Sequence, residues 1–331
     1  LIVYLHLIFG QVSLKTPDFK RFPGFIGFHL GKKAQTFSLY LIILGELAIL
    51  LVYLIIGGEF LTSILAPVLG GGLFTYIIVF LAALSVVIYL DGKAIAKVAF
   101  SALSLLVVLI ALIFIKGFWT IDPAIFLQNL HASAWRSNPG WLNLFLPYGA
   151  IMFAVWGTGL IPEVEERLRG RKKLLNKVII LGTIVPVIFY FIFTLLVLAI
   201  SGTATTDSSL IGLQAFLGGK LIAVALFIGL VTTFTAFMSQ GLFLKKVLTY
   251  DMGISKFPAW LFTCLTPFVL FLLGFNSFID IISFIGGILL GIDGILIILM
   301  YRKIGGKNYV VYPFIGIFII GIIYSLIYFF K

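Results

Sequence analysis

The chain has 331 residues, 62% hydrophobic and 11% charged, with a single cysteine. Soluble domains are about half apolar and a quarter charged, so this composition excludes a soluble globular domain, a disordered chain and a fibrous repeat. The net charge of +11, from 23 Lys and Arg against 12 Asp and Glu, fits basic cytoplasmic loops better than a nucleic-acid surface, and one cysteine excludes an internal disulfide or a thiolate metal cluster.

Residues 1–10 are an apolar run that begins at Leu1 without a Met or a basic leader. A signal peptide is therefore not expected, and the run reads as the end of a membrane helix whose start is cut off. Nine whole spans follow, near 37–58, 73–90, 95–115, 141–162, 178–200, 220–245, 258–274, 278–300 and 309–330. Each can cross a hydrocarbon core of about 30 Å as a helix of about 20 residues. The fold class is an all-α polytopic membrane protein.

The basic residues set the orientation. Nineteen of the 23 Lys and Arg lie in alternate loops, within 15–33, 93–97, 167–177, 245–256 and 302–307. The opposite loops hold Lys116, Arg136, Lys220 and Lys331. The positive-inside rule makes the first set cytoplasmic and puts the C-terminus outside, with the inner cell membrane the expected location.

Phe28-His29-Leu30-Gly31-Lys32 resembles Ala215-Phe216-Leu217-Gly218-Gly219-Lys220, an offset of 187. The same offset carries 37–58, 73–90 and 95–115 onto later spans. Equivalent spans lie five crossings apart, so the two copies face opposite ways, the inverted-repeat layout of many secondary transporters. Run backwards, the offset places about 46 further residues before Leu1. On that numbering residues 1–115 are helices 2–5 of the first repeat, 141–302 are helices 6–10 of the second, and 309–330 is an eleventh helix. The competing reading is an accident of regular helix lengths.

Within the span 141–162, Phe153-Ala154-Val155-Trp156-Gly157-Thr158-Gly159-Leu160-Ile161-Pro162 holds two glycines and a proline in six residues. Such a stretch breaks a helix, and freed backbone at membrane depth is tolerated beside protein or a water-filled cavity. The amides at the start of the second half-helix suit a substrate carboxylate. The alternative is a kinked structural helix. Phe153, Trp156 and Tyr53 can shape an apolar pocket for an aromatic or large aliphatic side chain, with chance placement as the competitor in so aromatic a chain.

Glu46 and Asp293 are carboxyls at membrane depth, each about 12–14 Å from the cytoplasmic helix end at 1.5 Å per residue. Either can carry a coupling proton or help to hold a cation; the alternative is a protonated structural carboxyl. Glu163-Val164-Glu165-Glu166-Arg167 and the basic run after it read as a solvated helix end facing lipid headgroups. His6, His29 and His131 show no metal-ligand spacing, and Cys264 reads as packing.

Three stretches resemble the amino acid/auxin permease family, which includes bacterial aromatic amino acid permeases. They are Tyr4-Leu5-His6-Leu7-Ile8-Phe9-Gly10 leading to Arg21-Phe22-Pro23-Gly24, then Phe153 to Glu163, and Thr232-Thr233-Phe234 with Leu248-Thr249-Tyr250-Asp251-Met252-Gly253-Ile254. The resemblance implies the leucine-transporter-type 5+5 inverted-repeat fold, N-terminally truncated here, and cotransport of amino acids with Na⁺ or H⁺. The family's glycine-rich first-helix motif is absent. The resemblance also implies a Na⁺ site at the hydroxyl pair Thr232 and Thr233, with carbonyls near Ile228 or Gly229; oxygen ligands suit a hard cation. The alternative is that these hydroxyls bond their own helix. Some proton-coupled relatives place a lysine midway along helix 5, and Val98 to Ile115 has none, which leans towards Na⁺.

The expected function is thus an ion-coupled amino acid symporter in a lipid bilayer, not an enzyme and not a nucleic-acid binder, with no cofactor beyond its coupling ion. A membrane-embedded enzyme acting on lipid-linked substrates would need clustered carboxylates, and the acidic residues are scattered. A non-transporting receptor on the same fold is the remaining alternative.

Overall fold

The computed structural model describes residues 1–17, 21–90, 95–120, 145–168, 171–202, 205, 213 and 218–329. His131, Arg136, Lys93, Lys331, Arg169 and the Ala215–Leu217 part of the repeated motif lie outside them. Among the described residues the protein is all helix with no strand. The elements are α1 (Ile2–Leu14), α2 (Phe22–Leu30), α3 (Lys32–Leu69), α4 (Leu73–Tyr89), α5 (Ile95–Thr120), α6 (Tyr148–Val155) and α7 (Ile161–Leu168). They continue as α8 (Lys172–Ser201), α9 (Gly219–Lys246), α10 (Lys256–Leu272), α11 (Phe278–Phe284), α12 (Leu290–Lys303) and α13 (Asn308–Phe329). A π-helical turn extends α9 over Val247–Asp251, and another joins α11 to α12 over Ile285–Leu289.

Five stretches are long and apolar enough to cross a membrane: Lys32–Leu69, Lys172–Ser201, Leu221–Asp251, Phe278–Lys303 and Asn308–Phe329. Four shorter apolar helices accompany them: Ile2–Leu14, Leu73–Tyr89, Ser104–Gly117 and Lys256–Leu272. Hydrocarbon offers no partner to a backbone N–H or C=O, so apolar runs of this length fold as helices that satisfy themselves. Their outer faces match that solvent. Val108, Phe191 and Ile320 are each more than half exposed, an arrangement that water would penalise. This is an integral membrane protein.

Two element boundaries depart from the hydropathy reading. α3 runs to Leu69, eleven residues past the expected end at 58, and takes Pro67 into its last turn. It stops where Gly70 and Gly71 take positive φ of 69° and 89°, a region costly for other residues. Tyr76 Oη donates to the Gly70 carbonyl and seals the turn. α2 lies in a segment read as loop. Pro23 starts it, and Phe25 and Ile26 bury its inner face.

Helix ends repeat along the chain. α1 ends at Leu14 and α8 at Ser201; α3 starts at Lys32 and α9 at Gly219. Both pairs are 187 residues apart. The residue before each start is a glycine with positive φ, Gly31 at 92° and Gly218 at 85°, and each accepts the first bond of its helix, from Gln35 and Ile222. α4 and α10 are both 17 residues long. α5 has 26 residues, and so does the stretch Phe278–Lys303. Their starts are 183 residues apart, four fewer than the other two pairs.

The chain divides into two compact units. One holds residues 1–45, 139–191 and 282–331, the other 46–138 and 192–281. In the first, α1 packs on α7 and α12, and α2 on α12. Phe9 meets the rings of Phe22 and Phe25, both at 5.5 Å, and Lys15 Nζ donates to the Ile304 carbonyl at 3.0 Å. In the second, α5 and α9 enclose a core of Leu109, Ile113, Leu196, Ile222 and Leu226. The C-terminal end of α4 is tied there by Lys245 Nζ, which donates to Ile88 O at 3.0 Å, and by Trp260 Nε1, which donates to Ser85 O at 2.9 Å.

Candidate functional site

The break expected at the glycines is present. α6 ends at Val155, and Trp156 is extended with φ −76° and ψ 117°. Thr158–Leu160 form a single 3₁₀ turn before α7 starts at Ile161. Pro162 sits in the first turn of α7, where its missing N–H costs nothing, and Glu163 favours the positive end of the helix dipole. Leu160 N–H donates to Gly157 O at 3.2 Å and Ile161 N–H to Thr158 O. The amides of Thr158 and Gly159 stand at a helix start, where geometry provides no intrahelical acceptor. Thr158 is buried, while Ala154 and Gly159 are exposed.

α6 is pressed backbone to backbone against the π turn. A Cβ on Gly286 would overlap the Gly149 carbonyl oxygen and come within 2.9 Å of Phe153 N. One on Gly149 would overlap Ser283 O and sit 2.8 Å from its Cα. Small residues are what allow such an approach. Seen from α13, Ser325 abuts Gly287, and the Tyr148 ring covers Gly321. The discontinuous helix is therefore held by main chain on one side.

The other side is held by a histidine that the sequence reading passed over. His6 on α1 is 3% exposed. Its Nε2 accepts the Gly157 N–H at 3.2 Å, and its Nδ1 lies 3.0 Å from Thr183 Oγ1 on α8. Thr183 gives its own hydrogen to Ile179 O at 2.9 Å, so the hydrogen shared with His6 belongs to Nδ1. Geometry thus fixes the neutral Nδ1–H tautomer. The Trp156 ring stands edge-on to the imidazole at 6.3 Å.

The remaining expected residues divide between the units. Phe153, Ala154, Val155, Trp156, Gly157, Thr158, Gly159 and Asp293 belong to the first. Glu46, Tyr53, Gly229, Thr232 and Thr233 belong to the second. Thr232 Oγ1 donates to Ile228 O at 3.0 Å and Gly229 O at 2.8 Å, the local bonding that was the alternative to a cation site. Donation uses only the hydrogen; the oxygen lone pairs still suit a cation. Thr233 is buried and Tyr53 half-buried. One carboxyl oxygen of Glu46, one of Asp293 and the Tyr148 hydroxyl are buried without a hydrogen-bond partner among the described residues. Such groups cost free energy in the fold.

His6 was weighed in the sequence only for metal-ligand spacing, and Thr183 and Tyr148 were not singled out. The available signal was a histidine inside an apolar run at membrane depth, which is expensive wherever it occurs. The chain matches no protein-family model, and a search of curated proteins finds no match.

Proposed function

We propose that the protein is a secondary active transporter, an ion-coupled symporter of amino acids with aromatic or large neutral side chains. The observation that carries this is the helix interrupted between Val155 and Ile161 inside an apolar bundle. Backbone donors at membrane depth are a recurring solution for binding a small anion group such as a carboxylate. Trp156 and Phe153 flank the break and offer an apolar wall to the substrate side chain. The common offset of helix ends, the paired positive-φ glycines and the matching helix lengths support a 5+5 inverted repeat of the leucine-transporter type. The resemblance to amino acid/auxin permeases points the same way.

Coupling ions have two candidate places. The hydroxyls of Thr232 and Thr233 with the Gly229 carbonyl suit Na⁺, and the buried carboxyls Glu46 and Asp293, each with one oxygen unpaired among the described residues, suit a proton. Under the offset Glu46 falls on Thr233, so the two candidates occupy equivalent positions of the repeats.

Purified protein in proteoliposomes is expected to accumulate labelled L-tryptophan when a Na⁺ or pH gradient is imposed. Accumulation with neither gradient would argue against cotransport, and absence of saturable uptake would remove transport altogether. Glu46→Gln and Asp293→Asn are each expected to change the rate of uptake. Normal uptake with both replaced would clear them of any coupling role.

A further inference from the structure

The three-bond chain through His6 is directional, and its direction has a chemical consequence. Gly157 N–H donates to Nε2, Nδ1–H donates to Thr183, and Thr183 donates to Ile179 O. The histidine therefore occupies, as an acceptor, one of the amide donors that the interrupted helix would offer a carboxylate. Gly157 has a negative φ of −132°, and a Cβ would sit 3.6 Å from His6 Cε1, an ordinary contact, so a side chain there would leave this arrangement in place.

We infer that His6 Nε2 is the coupling-proton site and that it shares the Gly157 amide with the substrate carboxylate. This rests on the transporter reading and deepens it by naming the ion and its seat. A proton from water bonds to the Nε2 lone pair. The imidazole becomes imidazolium, the acceptor becomes a donor, and the Gly157 N–H···Nε2 bond breaks. Two N–H groups, Nε2–H and Gly157 N–H, then point at one place, and an incoming carboxylate accepts both. The imported proton and the carboxylate charge cancel, so neither enters a low-dielectric site alone. Nδ1–H continues to hold Thr183, which keeps the ring oriented through the cycle.

α1 packs against α7 and α12 and meets α8 through Thr183, Leu175 and Ile179, and α13 through Phe314. It also meets α2 through Phe9 with Phe22 and Phe25, and the titratable group of α2, His29, is bonded to Thr16, ten residues past His6. The charged groups of α7 begin at Glu163, six residues past Gly157. Those of α8 end at Lys177, six residues or about 9 Å before Thr183. Tyrosines are the titratable groups of α13, and Tyr4 is that of α1 itself. On α12 the relevant group is Asp293. The ends of α1 and α12 meet at Lys15 and Ile304; His6 lies nine residues before the one and Asp293 eleven before the other, so both stand about 14–16 Å from that contact. Asp293 is therefore the competing proton acceptor, and it is tested beside His6.

The variant His6→Gln keeps an acceptor and a donor but cannot be protonated. Wild-type protein in proteoliposomes should bind L-tryptophan more tightly as pH falls, by up to about tenfold per unit, with one proton taken up per substrate on a trapped pH dye. His6→Gln should bind with a flat pH profile and no proton uptake, and Asp293→Asn should retain both. Tryptamine, which lacks the carboxylate, should elicit no proton uptake from wild type. Proton-coupled binding by His6→Gln, or its loss only in Asp293→Asn, overturns the assignment. In ¹⁵N-histidine NMR of wild type, His6 should show a hydrogen on Nδ1 alone without substrate; an Nε2–H tautomer overturns it independently. Absence of saturable tryptophan binding by wild type would instead overturn the transporter reading.

Discussion

His29, outside the membrane spans, shows the logic of His6 at a position where pH acts on structure alone. Thr16 Oγ1 gives its hydrogen to Val12 O at 2.8 Å, so the 2.8 Å bond to His29 is donated by Nε2–H. Burial holds the imidazole below its ordinary value of 6.5. A base whose folded value is depressed binds protons more readily when its segment is undocked. Its neutral form costs the fold nothing above about pH 6.5, and stability is lost as pH falls from there through the folded value. Acidification from pH 7.5 to 5 is therefore expected to speed amide exchange in α2 relative to α12, and His29→Gln should remove most of that difference. Unchanged relative exchange in wild type would show that His29 does not anchor the segment. Neither histidine was legible as a functional group in the sequence. A tautomer is set by partners far along the chain, Thr183 being 177 residues from His6.

At the scale of elements, glycines do three distinct jobs. Gly31 and Gly218 supply positive φ ahead of α3 and α9, Gly149 and Gly286 allow contact between main chains, and Gly159 has nothing within 4 Å of a would-be Cβ. The last two classes predict opposite outcomes. Gly286→Ala forces a methyl into the Gly149 carbonyl, where no side chain can yield, and should lower stability by about 3 kcal/mol, the upper end for overpacking. Gly159→Ala should stay within about 0.5 kcal/mol of wild type, while its methyl, placed beside the amide in open space, weakens tryptophan binding. Thermal unfolding in detergent checks the first pair of values, and equilibrium binding the second. The interruption at Gly157–Gly159 was readable because Gly, Gly and Pro within six residues leave a helix few options. The π turn at Ile285–Leu289 was not, since Gly286 and Gly287 take their meaning from α6 and Ser325, which sequence spacing cannot place.

For the whole molecule, hydropathy located the apolar helices because hydrocarbon enforces one backbone solution, and it failed for α2, an apolar helix of nine residues, too short to register as a span. Which face of the membrane each end meets is a separate matter, carried by charge. The loops with 15–33, 167–177 and 302–307 hold most of the Lys and Arg, and Asn276, between α10 and α11, lies on the opposite side of that alternation. Positive charge is retained on the cytoplasmic side during insertion, so Asn276 is expected to face out and Lys172 in. The lone Cys264 is 2% exposed, which leaves a silent background for accessibility labelling. A membrane-impermeant maleimide added to intact cells should label Asn276→Cys at once, and Lys172→Cys only after permeabilisation. Both positions are exposed in the fold, so burial cannot mask either result. Equal labelling of the two from outside would mean an even number of crossings between them. That would break the odd spacing on which opposed repeats depend, and with it the proposal that α6 and α7 are the discontinuous helix of a second, inverted copy.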